Sequence, residues 1–391
     1  MKNLKLLYIT TGDIIMQKDM LILNTLNSKI KKIEITVMLR DTEQKGISQV
    51  IPFKSICIKE KRKLTFLWKV FCHTLFTNYD VIFFSSPILF PIVLIPARAK
   101  KTRILFGYHE FPIATVIDSF NKISSISRLS HIVEGIIRTL ENFFIKTANG
   151  VIMIPLVEKE MKRVSRYQNN IEVVSNFPSL AVKPRSTDCL NSLVGRHFII
   201  YSGTIASYTG IKLYFELIKR LRGNYYSDII LVLAGKLSGI SEEELKTAIK
   251  NMQLEDSVVY LGWIPYEELL SIISHAQIGL ALFDPNHLKF SYISEGTSRK
   301  IYTYMYCGIP VITNPPLGEF VHHEQCGIVI PYNIEELYSA VVNLLRDDTL
   351  RRKLGQNGKN AVLTKYNWER ESEKVIKVFE NMWSIKQGYR K

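Results

Sequence analysis

The sequence predicts an α/β protein made of two doubly wound parallel sheets, one in each half of the chain. Three observations carry that expectation. Short apolar runs alternate with longer helix-like runs over the whole length. Most of the short runs are near-continuous in Val, Ile and Leu, as strands covered on both faces require. The alternation occurs twice, on either side of a polar, weakly periodic stretch, "SLAVKPRSTDCLNSLVGRH" at 179–197. The 391 residues, 47% of them hydrophobic, are enough for two buried cores.

The first-half strands are expected at "LKLLYIT" (4–10), "KIEITVML" (32–39), "VIFFSS" (81–86), "RILFGYH" (103–109), "GVIMIP" (150–155) and "IEVVSN" (171–176). The opening "MKNLKLLYITTGD" has too short an apolar run for a signal peptide and reads as the first strand. The most apolar segment, 81–99, is broken by Ser85, Ser86, Pro87 and Pro91. It reads as a strand and a buried helix rather than a membrane span. The second-half strands are expected at "FIIYSG" (198–203), "IILVLAG" (229–235), "SVVYLGW" (257–263), "IGLALF" (278–283), "PVITN" (310–314) and "GIVIP" (327–331). Helices are expected at 241–252 and 334–345, and a long closing helix at 366–383. The resulting division is 1–185, 186–365 and a tail, 366–391, that packs back toward the first domain.

Five scattered cysteines without a CxxC pair suggest a reducing compartment, with no disulfide frame and no zinc site. Charge is one-sided. Residues 1–190 hold 28 Lys/Arg against 15 Asp/Glu, whereas residues 191–391 hold 23 against 21. A positive field on one half favours an anionic partner: acidic lipid, a phosphorylated substrate or nucleic acid. No helix-turn-helix, zinc or RNA-binding motif supports the last.

Open parallel sheets bind ligands at the carboxyl ends of their strands. The loop chemistry is densest in "SEGTSRKIYTYMYCGIPVITN" (294–314). Gly308 and Pro310 end a helix that starts near Thr297 or Ser298, either of which could cap it. The first turn offers backbone N–H groups to an anion. Arg299 and Lys300 in that turn oppose the helix dipole unless an anion lies nearby. That local conflict marks a phosphate site.

This stretch resembles the donor-binding segment of the retaining GT-B glycosyltransferases of family 4, where two glutamates separated by seven residues precede a short run and "G-x-P-V-I". Glu295 falls on the first glutamate, and Thr303 stands where the second usually is. The resemblance extends to "YSGTIASYTGIKLYFELI" (201–218), "VVYLGWIPYEELLSIISHAQIGLALF" (258–283), "GYHEFP" (107–112), "VVSNFPSL" (173–180) and the "NWER" tail. It implies a GT-B architecture, with two Rossmann-like domains facing across a cleft. It also implies transfer of a sugar from a nucleotide diphosphate sugar, with retention and without metal or other cofactor.

On that resemblance Glu295 holds the sugar hydroxyls. Gly296, Thr297 and Ser298, with Arg299 or Lys300, hold the diphosphate. Gly203, Thr204, Trp263 and Ile264 complete the donor side. His109 acts on the sugar, and Gly12 and Glu110 lie on the acceptor side. The departures are Thr303 and the absence of the basic pair that follows the glycine in the 203–212 loop. They motivate a second reading, a GT-B-like binding or scaffold subunit. A sugar-nucleotide epimerase is a third, but lacks a convincing acid–base pair.

The basic cluster Lys59, Lys61, Arg62 and Lys63 beside "LTFLWKVF" reads as an interfacial anchor, and 120–146 as a second. These features suggest a cytoplasmic enzyme of surface polysaccharide biosynthesis, peripheral on the inner face of the plasma membrane. Its acceptor would be a saccharide, free or linked to polyprenyl diphosphate. The sequence leaves the donor sugar, base and linkage open.

Overall fold

The computed structural model describes residues 3–12, 15–41, 51–109, 130–191, 193, 195–223, 226, 228–287 and 294–384. The chain divides into two compact units, Met1–Ser175 with Glu371–Lys391, and Asn176–Arg370.

The first unit is a seven-stranded parallel sheet. Its strands are β1 (Leu4–Ile9), β2 (Ile33–Asp41), β3 (Lys54–Lys59), β4 (Val81–Phe84), β5 (Arg103–Tyr108), β6 (Gly150–Met153) and β7 (Ile171–Val173), in the order β3-β2-β1-β4-β5-β6-β7. Its helices are α1 (Gln17–Lys29), α2 (Lys63–Phe76), α3 (Phe90–Lys100), α4 (Ser130–Thr147) and α5 (Glu158–Ser165). All six expected strands are present. The expected strand-then-helix over 81–99 is present too, as β4 and α3. Among the described residues no helix is long and apolar enough to cross a membrane.

Strand β3 was not expected. It is the edge strand, pairing only with β2 from Thr36↔Lys54 to Asp41↔Lys59. An edge strand covered on one side needs only a few apolar residues, here Ile56 and Ile58 against the core. Its terminal lysines discourage pairing with a further strand.

The second unit repeats the plan with six parallel strands: β8 (Phe198–Ser202), β9 (Ile230–Ala234), β10 (Val258–Gly262), β11 (Ile278–Ala281), β12 (Val311–Thr313) and β13 (Gly327–Val329), ordered β10-β9-β8-β11-β12-β13. Its helices of five residues or more are α6 (Ile211–Arg222), α7 (Glu242–Asn251), α8 (Tyr266–Ser274), α9 (Arg299–Cys307), α10 (Glu319–His323), α11 (Ile334–Arg346) and α12 (Asp348–Thr364). Alternate residues of β8 enter opposite layers: Ile199 and Tyr201 join one core, Phe198 and Ile200 the other. That two-sided burial is why the strand reads as a continuous apolar run. Helix starts follow local chemistry. Ser241 and Glu244 form a reciprocal capping box on α7, and Asn333 Oδ1 accepts from Glu336 N at 2.9 Å on α11.

Helix α13 (Trp368–Ser384) begins in the second unit, and from Glu371 belongs to the first. There Val375, Val378, Phe379 and Met382 are buried. Asn170 Nδ2 donates to Val378 O at 2.9 Å, and Arg103 Nε donates to Met382 O at 2.9 Å. In each sheet the strand order reverses once, between β1 and β4 and between β8 and β11. Those reversals open the crevices where open α/β sheets take ligands.

Candidate functional site

In the second unit the carboxyl ends of β8, β9 and β10 each meet a glycine. Gly203, Gly235 and Gly262 adopt positive φ of 116°, 152° and 69°. Gly203 N donates to Ala234 O at 2.8 Å, and Gly235 N to Gly262 O at 2.7 Å. A Cβ on Gly235 would lie 1.8 Å from Gly203 O, so only glycine permits this approach. The result is a backbone floor on which a Cβ at Gly262 would meet nothing within 4 Å. A Cβ on Gly203 would lie 3.1 Å from Lys300 Cε, so the lysine occupies the space that glycine leaves.

Lys300 comes from the first turn of α9. Its Nζ donates to Tyr201 Oη at 2.9 Å, and Tyr201 Oη donates on to Thr204 O at 2.6 Å. The same Nζ lies 4.5 Å from the Tyr201 ring centroid and 4.6 Å from that of Phe283. Burial pushes its pKa down to about 8. No acidic side chain pairs with it in these contacts; two aromatic faces and a phenol hold it. Gly203, Thr204 and Lys300, read separately from the sequence, therefore meet.

The turn before α9 is clamped by Asn176. Its backbone N donates to Gly296 O at 2.8 Å, and its Nδ2 to Thr297 O at 2.7 Å. Gly296 has φ of 88°. Ser298 takes the N-cap position, but no side chain caps the helix. Of the two hydroxyls expected to cap it, that of Thr297 closes the preceding turn instead, Oγ1 accepting from Ser294 N at 3.3 Å. Arg299 is half-buried, and its carbonyl accepts from Thr303 Oγ1 at 3.1 Å.

Thr303 is buried and also meets Tyr266 Oη at 3.3 Å. Burial raises the Tyr266 pKa to about 12. The aromatic run of α9 serves packing. Tyr304 Oη accepts from Ser202 N at 2.8 Å, and its ring lies where a Cβ on Gly279 would be. Tyr302 stacks on Phe320 at 4.8 Å. Glu295 stands at the surface of the turn. Partial desolvation and nearby Glu319 raise its carboxyl pKa, and His323 opposes them. After β10, Trp263 is exposed, with Lys236 Nζ 6.0 Å from its ring centroid, and Ile264 is buried.

The first unit holds a second polar cluster at its own strand reversal. His109 follows β5, and its Nδ1 lies 3.2 Å from Asp19 Oδ1. Asp19 sits in the first turn of α1. It also accepts from Tyr8 Oη at 2.7 Å and from Ser85 Oγ at 2.8 Å. Burial alone would raise the Asp19 carboxyl. The imidazole and the two hydroxyl donors outweigh it and hold the group below its ordinary range. A carboxylate in this position fixes the ring orientation and favours a proton on Nδ1. The Gly12 carbonyl accepts from Arg40 N at 3.3 Å. Glu110 lies outside the described residues.

Sequence reasoning missed Asp19, Ser85 and Tyr8, and on the other side Tyr201, Phe283 and Asn176. Asp19 sits in no motif, and only the fold brings it to His109. Tyr201 adjoins the expected Gly203 turn, and that proximity was its one signal.

Residues 187–361 match the family model described as glycosyl transferases group 1. The matched stretch lies within the second unit. It contains the glycine floor, Lys300 and the α9 turn. Along most of its length the chain is similar to an uncharacterized glycosyltransferase of Methanocaldococcus jannaschii, 22% identical over 332 residues, covering 81% of this chain and 78% of that one. Among solved structures it is similar to sucrose-phosphate synthase from Thermosynechococcus elongatus, with a TM-score of 0.72, 16% identity and coverage of 98% and 100%. It is also similar to Anabaena HepE in complex with UDP-glucose, with a TM-score of 0.68, 14% identity and coverage of 97% and 100%. The fold is GT-B, two Rossmann-like parallel-sheet domains.

Proposed function

We propose that the protein transfers a sugar from a nucleotide diphosphate sugar to a saccharide acceptor, with retention of anomeric configuration and without a metal. The observation that carries this reading is the desolvated Lys300 between Tyr201 and Phe283, above the glycine floor and beside the Gly296–Ser298 turn. Such a cation has surplus charge for an anion, and the floor admits one closely. As the glycosidic bond breaks, negative charge builds on the leaving diphosphate, and Lys300 and Arg299 with the turn amides would stabilise it. Glu295 would hold the sugar hydroxyls, and Trp263 and Ile264 would frame the base. His109, held by Asp19, would act on the sugar or the acceptor hydroxyl, with Gly12 and Glu110 on the acceptor side. The neighbour that binds UDP-glucose supports a sugar nucleotide as donor. No resident cofactor is needed in this scheme.

The acceptor is read as a saccharide of a surface polysaccharide, free or linked to polyprenyl diphosphate. The lipid-linked form places the enzyme at the cytoplasmic face of the plasma membrane. The second reading, a binding or scaffold subunit, is favoured by one contact: the Thr303 hydroxyl is already engaged by Arg299 O and faces Tyr266. It leaves no ionised, bidentate acceptor for a ribose at that position.

Thermal shift against UDP, GDP, ADP, CMP and dTDP and their sugars, with and without magnesium, tests the reading. Stabilisation by one nucleotide diphosphate is expected, together with transfer or donor hydrolysis that survives a chelator. Glu295→Ala and Lys300→Ala are expected to lose most activity while remaining folded. Activity that requires metal would overturn the mechanism. A folded protein that responds to none of these ligands would favour the scaffold.

A further inference from the structure

We propose that the outer face of α2, α3 and α4 docks flat on an acidic lipid bilayer. The proposal deepens the lipid-linked acceptor reading but does not depend on the sugar chemistry. The steps β3 to β4, β4 to β5 and β5 to β6 all run in one direction across the sheet. Right-handed crossovers therefore put the three helices side by side on one face. Their inner sides confirm it. Phe66 and Val70 of α2, Phe90 and Val93 of α3 and Ile145 of α4 share one core with the sheet. Phe144 stacks on Phe90 at 4.6 Å.

The outer sides should then be polar, and they are not. On α2, Leu64 is 81% exposed, Trp68 64% and Phe76 80%, at intervals of four and eight residues along one stripe. Ile95 on α3, and Ile136 and Phe143 on α4, continue the apolar surface. Among the described residues, nine of the thirteen exposed large apolar or aromatic side chains lie on these three helices and the turn leading into α3. Single exposed apolar residues are ordinary, but concentration on one layer marks an interaction surface.

Charge selects the partner. Between Lys54 and Lys101 there are nine Lys/Arg and two acids, Glu60 and Asp80. Glu60 is already engaged by Lys69 at 3.1 Å. A second copy of this chain would set these cations against each other. A nucleic acid would meet the charge but leave the apolar stripes wet. An anionic bilayer satisfies both, with headgroups against the lysines and acyl boundary against the stripes.

The test uses the full chain with vesicles of phosphatidylcholine, alone or mixed with phosphatidylglycerol. The wild type is expected to co-sediment with the mixed vesicles, more weakly at high salt, and brominated lipid is expected to quench Trp68. A Trp68→Phe control assigns the signal. The double variant Trp68→Ser/Phe76→Ser and the triple variant Lys61→Glu/Arg62→Glu/Lys63→Glu are each expected to weaken binding at least about tenfold. Neither should lower the melting temperature, because these side chains are exposed. Equal binding by wild type and variants, or none by the wild type, overturns the proposal. So does a concentration-dependent dimer that Phe76→Ser dissolves. Nucleotide thermal shift is read in parallel. If it persists while vesicle binding fails, docking alone is rejected.

Discussion

With the Lys300 ammonium held at a pKa of about 8 by burial, a bound diphosphate favours the charged form, and binding takes up a proton near neutral-to-alkaline pH. Affinity for a nucleotide diphosphate is therefore expected to fall as pH rises through about 8. Lys300→Met should weaken binding about 10–100-fold at pH 7 and flatten the pH dependence. Titration calorimetry at a series of pH values reads both. Asp19 has the opposite sign. Its carboxyl is held below the ordinary 3.8, so its contribution to stability is present above that pH and lost as pH falls through the folded value. Asp19→Asn is expected to cost about 3–5 kcal/mol near neutrality, and less in acid, by denaturant unfolding. The two clusters were unequally legible. Lys300 and Gly203 sit in local patterns whose spacing has meaning. The Asp19–His109 pair joins positions ninety residues apart through β1, β4 and β5, and no local pattern encodes that.

The strand ends show how an element edge becomes a bare backbone floor. At Gly235 a side chain would drive into the Gly203 backbone, whereas at Gly203 it would meet only Lys300 and at Gly262 only the positive φ of 69° favours glycine. Gly235→Ala places a methyl at 1.8 Å from Gly203 O, with φ in a region that only glycine tolerates. It is expected to destabilise the second unit by several kcal/mol and lower its melting temperature. Gly195→Ala, whose Cβ meets nothing within 4 Å, is the milder control, bearing only the cost of its positive φ of 75°. Twelve strands were readable because two-sided burial writes continuous apolar runs. Strand β3 was not, since an edge strand with alternating exposure between lysines resembles a loop. The start of α9 was legible from its Gly308 stop and residue types. Its lack of a side-chain cap was not, since residue type alone does not tell that Thr297 Oγ1 turns to Ser294 N.

For the whole molecule, the two-sheet plan followed from alternation alone, whereas the return of the tail toward the first domain was an expectation that its own residues do not carry. Nothing in the amphipathic stripe of α13 says which core receives it. The structure places Val375, Val378, Phe379 and Met382 in the first unit. A chain ending at Arg370 is expected to lose several kcal/mol of burial from that unit, at about 1.5–3 kcal/mol per large apolar side chain. Scanning calorimetry should then show one transition moved down and the other in place. A fall in both would show that α13 supports the second unit as well.

That route also sets a timetable. During synthesis the first sheet emerges before residues 176–370, but the segment that covers Gly150 and Asn170 emerges after them. Residues 176–370 come between them, and a ribosome adding about 5–20 residues per second needs about 10–40 s to make them. The first sheet is therefore completed only after the second unit has been made, and until α13 is released that sheet is the surface that a chaperone on the nascent chain would find open.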